Sequence, residues 1–488
     1  MHHLQLRIIL LCAIIVAFCA CKEDKVSSNP AMQLTFSKDV VSFDTVFTSL
    51  GSATLQFVVY NKNANALIIS RIWQDVGADF KVNIDGEADL SKATDWQLRG
   101  GDSLIVFVKV NIDPTSQNNP LFIRDNLNFA VNGNVQSVEL QAYGQNVHLI
   151  KTPKRLTVRD NYIFTADRPY LIYDTFAVSS YLAFDAGARL YFHNEAVILA
   201  YGDVQAKGTL EQPVILQGDR IDNLYDSVPY AFVAGMWGGF YCIDAESSAA
   251  KTYALDYINI LSANVGLFCV SDKKDNLPQL TLTNSRIHNH AVYGLVLQNV
   301  NAYVANCELS NAAAYCLYLS GGKHNFVHNT IASYFNATDV RIQSTPRQDV
   351  AAVYINNVSK NNIPTNTSFR NCIVSGVRRN NLLVATPLPQ YYEDTIANNF
   401  LKADSLHVSN AINNIYWQEK DTAVFCNTYY KYKEYVYYDF QLDSLSPARG
   451  IGDSLTALSV PLDRLGKPRI RFNNGDTIRP DAGCYQYQ

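Results

Sequence analysis

The chain has 488 residues, with 40 basic and 44 acidic side chains and a formal net charge of −4. This length exceeds what one compact core usually holds and indicates several domains or one long repeat array. The near-neutral balance excludes the basic surface of a nucleic-acid-binding protein, and a charged fraction of only 17% excludes a disordered chain. Thirty Tyr and 23 Phe against three Met favour an all-β fold.

Residues 1–20 have the layout of a secretory signal peptide. A weakly basic start precedes an apolar run from Ile8 to Phe18, which is too short to span a membrane. The segment Phe18-Cys19-Ala20-Cys21 resembles the lipobox of bacterial lipoproteins. That resemblance implies cleavage before Cys21 and acylation of its thiol. An ordinary secretory signal is the alternative.

Residues 21–33 are predicted to form a flexible tether, because Ser, Asn and Pro dominate its second half. Lys22-Glu23-Asp24, directly after Cys21, resembles the acidic export tag of some Gram-negative lipoproteins. The resemblance implies a lipid-anchored protein of the outer membrane that is exposed at the cell surface. A merely polar tether is the alternative.

Residues 34–148 show short alternating runs separated by Asn, Gly and Asp, the pattern of a β-sandwich. Val131-Asn132-Gly133-Asn134 lies between two such runs and predicts a hairpin turn. The order of the runs, with the lead-in Thr48-Ser49-Leu50-Gly51-Ser52, resembles immunoglobulin-like domains of the hydin and major-sperm-protein type. That resemblance implies a spacer or adhesion module without catalysis.

A 22-residue repeat organises residues 152–400. Successive matches begin at Asn284, Asn306 and His328, each with an apolar residue three positions later, and a further match begins at Asn371. A period near 22, with period-2 alternation and Gly or Asn at the corners, is typical of a parallel β-helix. Coils of such a helix stack about 4.8 Å apart.

Stacking should place equivalent residues in columns along the helix. The column of Leu295, Leu317 and Val353 is predicted to point inward. The repeated Asn residues are predicted to form a corner ladder, in which stacked side-chain amides hydrogen-bond between coils.

The opening coils and the C-terminus carry further resemblances. Residues 202–209 and the Trp237-Gly238 pair, together with the repeat, resemble the pectate-lyase-like right-handed β-helix superfamily. Residues 401–488 resemble the terminal segment of many secreted bacterial β-helix proteins, through Asp463-x-x-Gly466-x-x-Arg469 and Asp481-Ala482-Gly483. The resemblance implies final coils and a cap, with a structural role for these Asp and Arg residues.

The enzymatic interpretation finds little support in the coils. Many proteins of the resembled superfamily are polysaccharide lyases or hydrolases, but the Asp-Asp, Gly-His-Gly and Arg-x-Lys motifs of its polygalacturonase-like members do not occur. The histidines of the coils are predicted not to converge and are interpreted as corner or surface residues: His288, His290, His324 and His328. Four charged residues precede Trp237 in a long loop that lines a cleft or is simply solvated: Asp219, Arg220, Asp222 and Asp226.

No metal site and no cofactor are predicted. Three of the ten cysteines, Cys12, Cys19 and Cys21, belong to the signal segment and its cleavage site, and the others lack a CxxC or Cys/His spacing. They are interpreted as buried small apolar residues: Cys242, Cys269, Cys307, Cys316, Cys372, Cys426 and Cys484.

One column is predicted to face outward, because it alternates with inward residues: Phe268, Val296, Tyr318 and Tyr354. Aromatic rings along a flat sheet suit sugar faces and equally suit a protein partner. Phe268, Tyr318 and Tyr354 are therefore the candidate binding residues. The alternative is that the run from Tyr429 to Tyr438 folds over this column.

The sequence predicts an outer-membrane surface lipoprotein that acts as a non-enzymatic binding or scaffold protein. Its partner is a polysaccharide or an outer-membrane protein such as a transporter complex. A polysaccharide lyase or glycoside hydrolase of the β-helix type is the alternative, and a purely adhesive or structural role is the third possibility.

Overall fold

The computed structural model describes residues 25–487 except 49, 115–120, 225–227, 246–248, 335–350, 357–358, 360, 386–391, 404–410, 417–422, 430–437 and 474–475. The predicted signal segment, Cys21 and Lys22-Glu23-Asp24 lie outside the described residues. The chain divides into two compact units, Met1–Asn146 and Val147–Gln488. Among the described residues, no helix combines the length and apolar character that crossing a membrane requires.

The first unit is a β-sandwich. Its strands are β1 (Thr35–Phe36), β2 (Val40–Phe47), β3 (Leu55–Tyr60), β4 (Leu67–Gln74), β5 (Phe80–Ile84), β6 (Thr94–Leu98), β7 (Ser103–Val110), β8 (Leu121–Val131) and β9 (Asn134–Gln145). One sheet has the order β1-β3-β7-β5 and the other β2-β9-β8-β4-β6. A short 3-10 turn, Leu90–Lys92, precedes β6.

Period-2 alternation builds the core between the two sheets. In β7, Leu104, Val106 and Val108 are buried, while Ile105 and Lys109 face solvent. The predicted hairpin is confirmed, because β8 and β9 pair in antiparallel register from Val131↔Asn134 outward. The two turn residues between them have φ of 49° and 80°, as a type I′ turn requires.

The second unit is a right-handed parallel β-helix, as predicted. Sheet 1 contains His148–Ile150, Tyr170–Ile172, Arg189–Phe192, Val214–Gly218, Ile258–Leu261, Arg286–His290, Glu308–Ala312, Thr330–Ser333, Ile373–Gly376, Phe400–Leu401 and Ile415–Tyr416. Sheet 2 contains Arg155–Val158, Thr175–Val178, Val197–Ala200, Trp237–Asp244, Ala263–Ser271, Tyr293–Gln298, Tyr315–Ser320, Val353–Asn356 and Leu382–Ala385. Sheet 3 contains Tyr162–Phe164, Leu182–Phe184, Val204–Lys207, Thr252–Asp256, Gln279–Thr283, Asn301–Ala305, Gly322–Val327, Thr365–Arg370, Tyr392–Ala397 and Ala411–Ile412.

Short elements decorate the coils. A hairpin and a 3-10 turn lie in the loop before sheet 2's Trp237: Asn223–Leu224, Val228–Pro229 and Tyr230–Phe232. The C-terminal segment adds two hairpins and one helix: Phe425–Asn427 with Asp439–Leu442, Arg471–Asn473 with Asp476–Ile478, and Ser454–Ser459.

The predicted coil register is confirmed. Leu295 pairs with Leu317, and Leu317 pairs with Val353, and all three side chains are completely buried. A slip of one residue would turn this apolar column outward, so the buried column fixes the register.

The corner from sheet 3 to sheet 1 holds the predicted ladder. Asn306 Nδ2 donates to Asn284 Oδ1 at 2.6 Å, and Asn371 Nδ2 lies 2.9 Å from His328 Nε2. These four residues have φ between 51° and 59°, the left-handed region that Asn tolerates better than most residues. The repeated Asn therefore serves the sharp turn as well as the contact between coils.

A second, interior ladder begins one residue later at the same corner. Asn329 Oδ1 accepts the backbone N–H of Cys307 at 2.9 Å, and its Nδ2 donates to the Val304 carbonyl at 2.8 Å. Asn399 repeats this acceptor role for the Cys372 N–H at 2.7 Å. These buried amides satisfy the bent backbone where the coil turns.

The C-terminal segment covers the outer face of sheet 1. Its apolar residues form a cluster with those of sheet 1: Ala332, Ile373, Phe400, Val424, Phe425, Phe440, Leu442, Ala448, Ala482, Cys484 and Tyr485. The Asp463 carboxylate accepts three backbone N–H groups, each at 2.8 Å, and Arg469 Nη2 donates to Asn306 Oδ1 at 2.5 Å. The predicted structural role of the Asp and Arg residues in this cap is confirmed.

The cysteine interpretation is correct at six positions and wrong at one. The six buried free cysteines are Cys242, Cys269, Cys307, Cys316, Cys372 and Cys484. Cys426 is exposed, because it alternates with the buried Phe425 on the hairpin strand Phe425–Asn427. That strand belongs to the cap, where one face is packed on sheet 1 and the other is open.

Candidate functional site

The outer face of sheet 2 carries the predicted column. The register stacks Tyr241, Phe268, Val296, Tyr318 and Tyr354 on successive coils. The four aromatic members are partly exposed, whereas Val296 is only 2% exposed. The valine is smaller than its neighbours in the column, so the flanking rings shield it from solvent.

A second row of rings lies beside this column. Tyr293 and Tyr315 pair with each other on adjacent coils, and both are partly exposed. We call the combined surface the tyrosine face, formed by Tyr241, Phe268, Tyr293, Tyr315, Tyr318 and Tyr354. The sequence analysis found one row and missed the other, because Tyr293 and Tyr315 lie at the start of their strands, where alternation is less regular.

The rings of the tyrosine face overlap instead of lying flat on the sheet. The Tyr318 and Tyr354 centroids are 5.6 Å apart with 15° between their planes, and those of Tyr315 and Tyr354 are 5.0 Å apart with 27°. Two nearly coplanar rings lying side by side would need centroids more than about 6 Å apart to avoid a clash between their edges. The rings are therefore offset-stacked, so that each covers part of its neighbour's face.

The outward positions around the tyrosine face are uncharged. In the described strands of sheet 2 from Val197–Ala200 onward, the central outward column is Leu199, Tyr241, Phe268, Val296, Tyr318, Tyr354 and Leu383. The next outward column is Ile243, Val270, Gln298, Ser320, Asn356 and Ala385. Hydrogen-bonding groups on this surface are thus hydroxyls and amides.

The segment from Tyr429 to Tyr438, the alternative cover for the column of Phe268, Tyr318 and Tyr354, is described only at its two ends. Residues 430–437 lie outside the described residues. The Tyr438 ring lies 6.3 Å from that of His288 and 5.9 Å from that of Phe440, so this end of the run packs over sheet 1. Tyr429 is exposed.

The histidines of the coils do not converge, as predicted, and His328 is a corner residue as interpreted, but none of the four lies at the surface. His288 pairs with Ser310 and His290 with Ala312 in the register, yet all four histidines are no more than 3% exposed. Burial lowers the pKa of His290 and of His324 to about 3. Their rings face the coil interior or lie beneath the cap, which alternation within a single coil does not reveal.

A second cluster lies at the corner from sheet 1 to sheet 2 and was missed by the sequence analysis. Lys151, Tyr173, His193 and Asp219 follow the ends of four successive sheet 1 strands. Lys151 Nζ lies 4.8 Å from the Tyr173 ring centroid, and the Tyr173 and His193 rings stack at 4.2 Å. His193 Nδ1 lies 2.7 Å from Asp219 Oδ2. Burial, with Asp219 adding to it, raises the pKa of Tyr173.

This corner column continues into the charged loop. Arg220 forms two hydrogen bonds with Asp222, at 2.7 and 2.5 Å, and its guanidinium lies 4.1 Å from the Tyr230 ring centroid. Asp226 lies outside the described residues. Extending the coil register upstream would have revealed the column, since its members recur at the coil length.

Metal binding has no visible support. No group of three or more His, Cys, Asp and Glu side chains comes together to hold a metal ion in the described part of the chain.

Comparison with known proteins gives no functional assignment. No family model matches the chain, and no curated protein sequence matches it. The solved structures with partial likeness include the VesB protease of Vibrio cholerae, at a TM-score of 0.18 and 20% identity over 24% of this chain and 32% of that chain. A family 123 glycoside hydrolase from Clostridium perfringens has a TM-score of 0.18 and 4% identity over 24% and 30%.

The periplasmic chaperone SfaE has a TM-score of 0.16 and 6% identity over 23% of this chain and 58% of that chain. The chain thus spans less than two thirds of the length of each of these structures. At such TM-scores the likenesses carry no argument about function.

Proposed function

We propose that the protein is a non-enzymatic glycan-binding protein whose ligand lies along the tyrosine face. The observation that carries this proposal is the row of partly exposed tyrosine rings that recurs from coil to coil on an uncharged stretch of sheet 2. Tyrosine combines a rigid apolar ring with a polar hydroxyl, a combination that recurs at binding surfaces.

The dimensions of the face suit a linear polymer. From Tyr241 to Tyr354 the column takes four coil steps, or roughly 19 Å at about 4.8 Å per step, enough for about three or four sugar units. A repeating ligand can place equivalent groups against equivalent residues on successive coils. A protein partner, such as an outer-membrane transporter complex, is the competing occupant and becomes an outcome of the test.

The test is a glycan array probed with the parent protein and the Tyr318→Ala/Tyr354→Ala variant. We expect the variant to lose at least about tenfold in affinity, since aromatic anchors at binding surfaces commonly contribute about 2 kcal/mol. The matched control is Phe122→Ala/Tyr143→Ala, which removes an exposed aromatic pair, 4.9 Å apart, from the sandwich. Binding of no glycan, with capture of an outer-membrane protein that the double variant loses, would favour the protein partner.

The lipid anchor is a second part of the proposal. The lipobox-like segment ending at Cys21 and the following Lys22-Glu23-Asp24 support an acylated protein of the outer membrane that is displayed at the cell surface. The immunoglobulin-like domain, of the hydin and major-sperm-protein type, would serve as the spacer.

Removal of the thiol tests this anchor. Cys21→Ala should release the protein from membranes or leave its precursor uncleaved, because acylation requires that thiol. Replacing Lys22, Glu23 and Asp24 by Ala should retain acylation and lose cleavage by protease added to intact cells. Unchanged membrane association of Cys21→Ala would contradict the anchor, and retained protease access would contradict only the export tag.

A polysaccharide lyase or hydrolase is the second candidate function, favoured by the corner column. His193 is held by Asp219 beside Tyr173, an arrangement suited to proton transfer. The parent protein would then release unsaturated or reducing sugar products, and His193→Ala would lose this activity while still binding glycan. That result would favour the enzyme over the non-enzymatic binding protein. Absence of turnover across the polysaccharides that bind would exclude it.

A further inference from the structure

The hydroxyls of Tyr318 and Tyr354 differ from those of two other tyrosines in the coils. Tyr181 donates its hydroxyl hydrogen to Gln205 Oε1 at 2.5 Å, and the Tyr334 hydroxyl bonds to Ser375 Oγ at 2.8 Å. Within the described part of the chain, the hydroxyls of Tyr318 and Tyr354 make no hydrogen bond to protein. Each can therefore donate one hydrogen bond and accept others.

Ring geometry limits how a ligand can touch these residues. Tyr354 lies against both Tyr318 and Tyr315, with centroids 5.6 and 5.0 Å away. A sugar that stacks on a ring needs an open face, and neighbouring tyrosines partly occupy the faces of these rings. The ring edges and the hydroxyls are the groups that no neighbouring ring overlaps.

The absence of charge limits what kind of ligand fits. A polyuronate or sulfated glycan would bring an anion each time its unit repeats along the tyrosine face, where the two outward columns of sheet 2 from Leu199 to Ala385 contain no cation. Desolvating such anions without a positive partner is unfavourable. Amides of Gln298 and Asn356 in the adjacent column add further groups for hydrogen bonds.

We propose that the ligand of the tyrosine face is an uncharged, hydroxyl-rich polysaccharide, held by hydrogen bonds to the hydroxyls of Tyr318 and Tyr354 instead of by stacking on their rings. This inference rests on the proposed glycan-binding function and specifies its ligand class and contact chemistry. Neutral sugar hydroxyls match the phenol hydroxyls, since both donate and accept.

The experiment compares two double variants, Tyr318→Phe/Tyr354→Phe and Tyr318→Ala/Tyr354→Ala, by titration calorimetry. The probes are soluble mannan, xylan and β-glucan as neutral polymers, and polygalacturonate and alginate as acidic ones. The Phe variant retains the ring overlap and removes only the hydroxyls, so its fold is preserved. We expect one neutral polymer to bind, with affinity reduced about tenfold in the Phe variant, because each lost hydrogen bond has a modest net effect.

Salt dependence supplies an independent readout. Affinity for the neutral polymer should change less than twofold between about 50 and about 500 mM NaCl, because no ion pair forms. Full affinity in the Phe variant with loss in the Ala variant would overturn the hydroxyl contact and leave glycan binding standing. Tighter binding of an acidic polymer would overturn the ligand class alone. Unchanged binding in both variants would overturn the proposed function itself.

Discussion

Sheets 1 and 2 enclose the same apolar interior, but their outer faces differ in burial and in charge. On the coil that contains Glu308 and Tyr318, Glu308 lies on the outer face of sheet 1 and is 2% exposed, while Tyr318 on sheet 2 is partly exposed. Charged side chains occur on the face that the cap covers, and uncharged ones on the face of the tyrosines. The comparison shows that an outer face of the β-helix is buried only where another segment of the chain, here the C-terminal cap, packs on it.

The cap supplies partners for the charges of sheet 1. Glu308 Oε1 lies 2.8 Å from Arg286 Nε, and its other carboxylate oxygen accepts a hydrogen bond from the Tyr485 hydroxyl. Arg464, also from the cap, donates to Asn259 Oδ1 at 2.8 Å. Burial acts to raise the pKa of Glu308, but the neighbouring cations, Arg286 foremost, outweigh it and hold the pKa at about 2. Sheet 1 is thus an internal interface.

The largest expected effect comes from charging the interior. Leu317→Asp places a carboxylate in the column of Leu295 and Val353, and should cost about 5 kcal/mol or more because the charge has no partner there. Tyr318→Asp, one residue later on the outward side, should cost about 1 kcal/mol, since its carboxylate reaches water. Urea unfolding of both variants measures the difference, and equal costs would show that the outer face of sheet 2 is covered.

A smaller effect is expected from breaking the ion pair between Glu308 and Arg286, which lies beneath the cap. Glu308→Ala leaves Arg286 without its carboxylate partner beneath the cap and should cost about 3–5 kcal/mol. Glu308→Gln keeps a hydrogen-bond acceptor for Tyr485 and should cost less. Thermal unfolding gives the order of the variants, and limited proteolysis should show earlier cleavage of the C-terminal segment in Glu308→Ala. Parent-like resistance to protease would mean that apolar contacts alone hold the cap.

The smallest effect, counted for one group and one pH unit, is a pH dependence of the β-helix of about 1.4 kcal/mol. His290 and His324 have pKa values of about 3 when folded, against about 6.5 in an unfolded chain. The unfolded state therefore binds more protons below about pH 6.5, and stability should fall steadily from there towards about pH 3. Glu308, with its pKa at about 2 against 4.5, adds to this loss below about pH 4.5.

Melting temperatures between about pH 8 and pH 4.5 test this slope. His290→Leu removes one of the titrating groups and should flatten the decline below about pH 6.5. A decline as steep as that of the parent protein would show that His290 does not contribute to it.

The repeat could be recognised in the sequence because each coil is formed by a short, continuous stretch of the chain. Spacing and alternation placed Leu295, Leu317 and Val353 in one buried column, since each coil repeats the same short pattern and stacks directly on the last. The corner residues Asn284 and Asn306 were predictable for the same reason. The outward direction of Phe268, Tyr318 and Tyr354 follows from period-2 alternation.

Other features required the folded chain, because they depend on residues far apart in sequence. Tyr485 meets Glu308 across 177 residues, and no periodicity indicates which outer face this non-repeating segment covers. That choice buries His288 and leaves Cys426 exposed on the cap. The tilt of the Tyr318 and Tyr354 rings is likewise set by packing between coils. The sequence by itself determined the coil, its register and its inward residues through a local period, whereas tertiary contacts decided which faces are covered and how the tyrosines are presented.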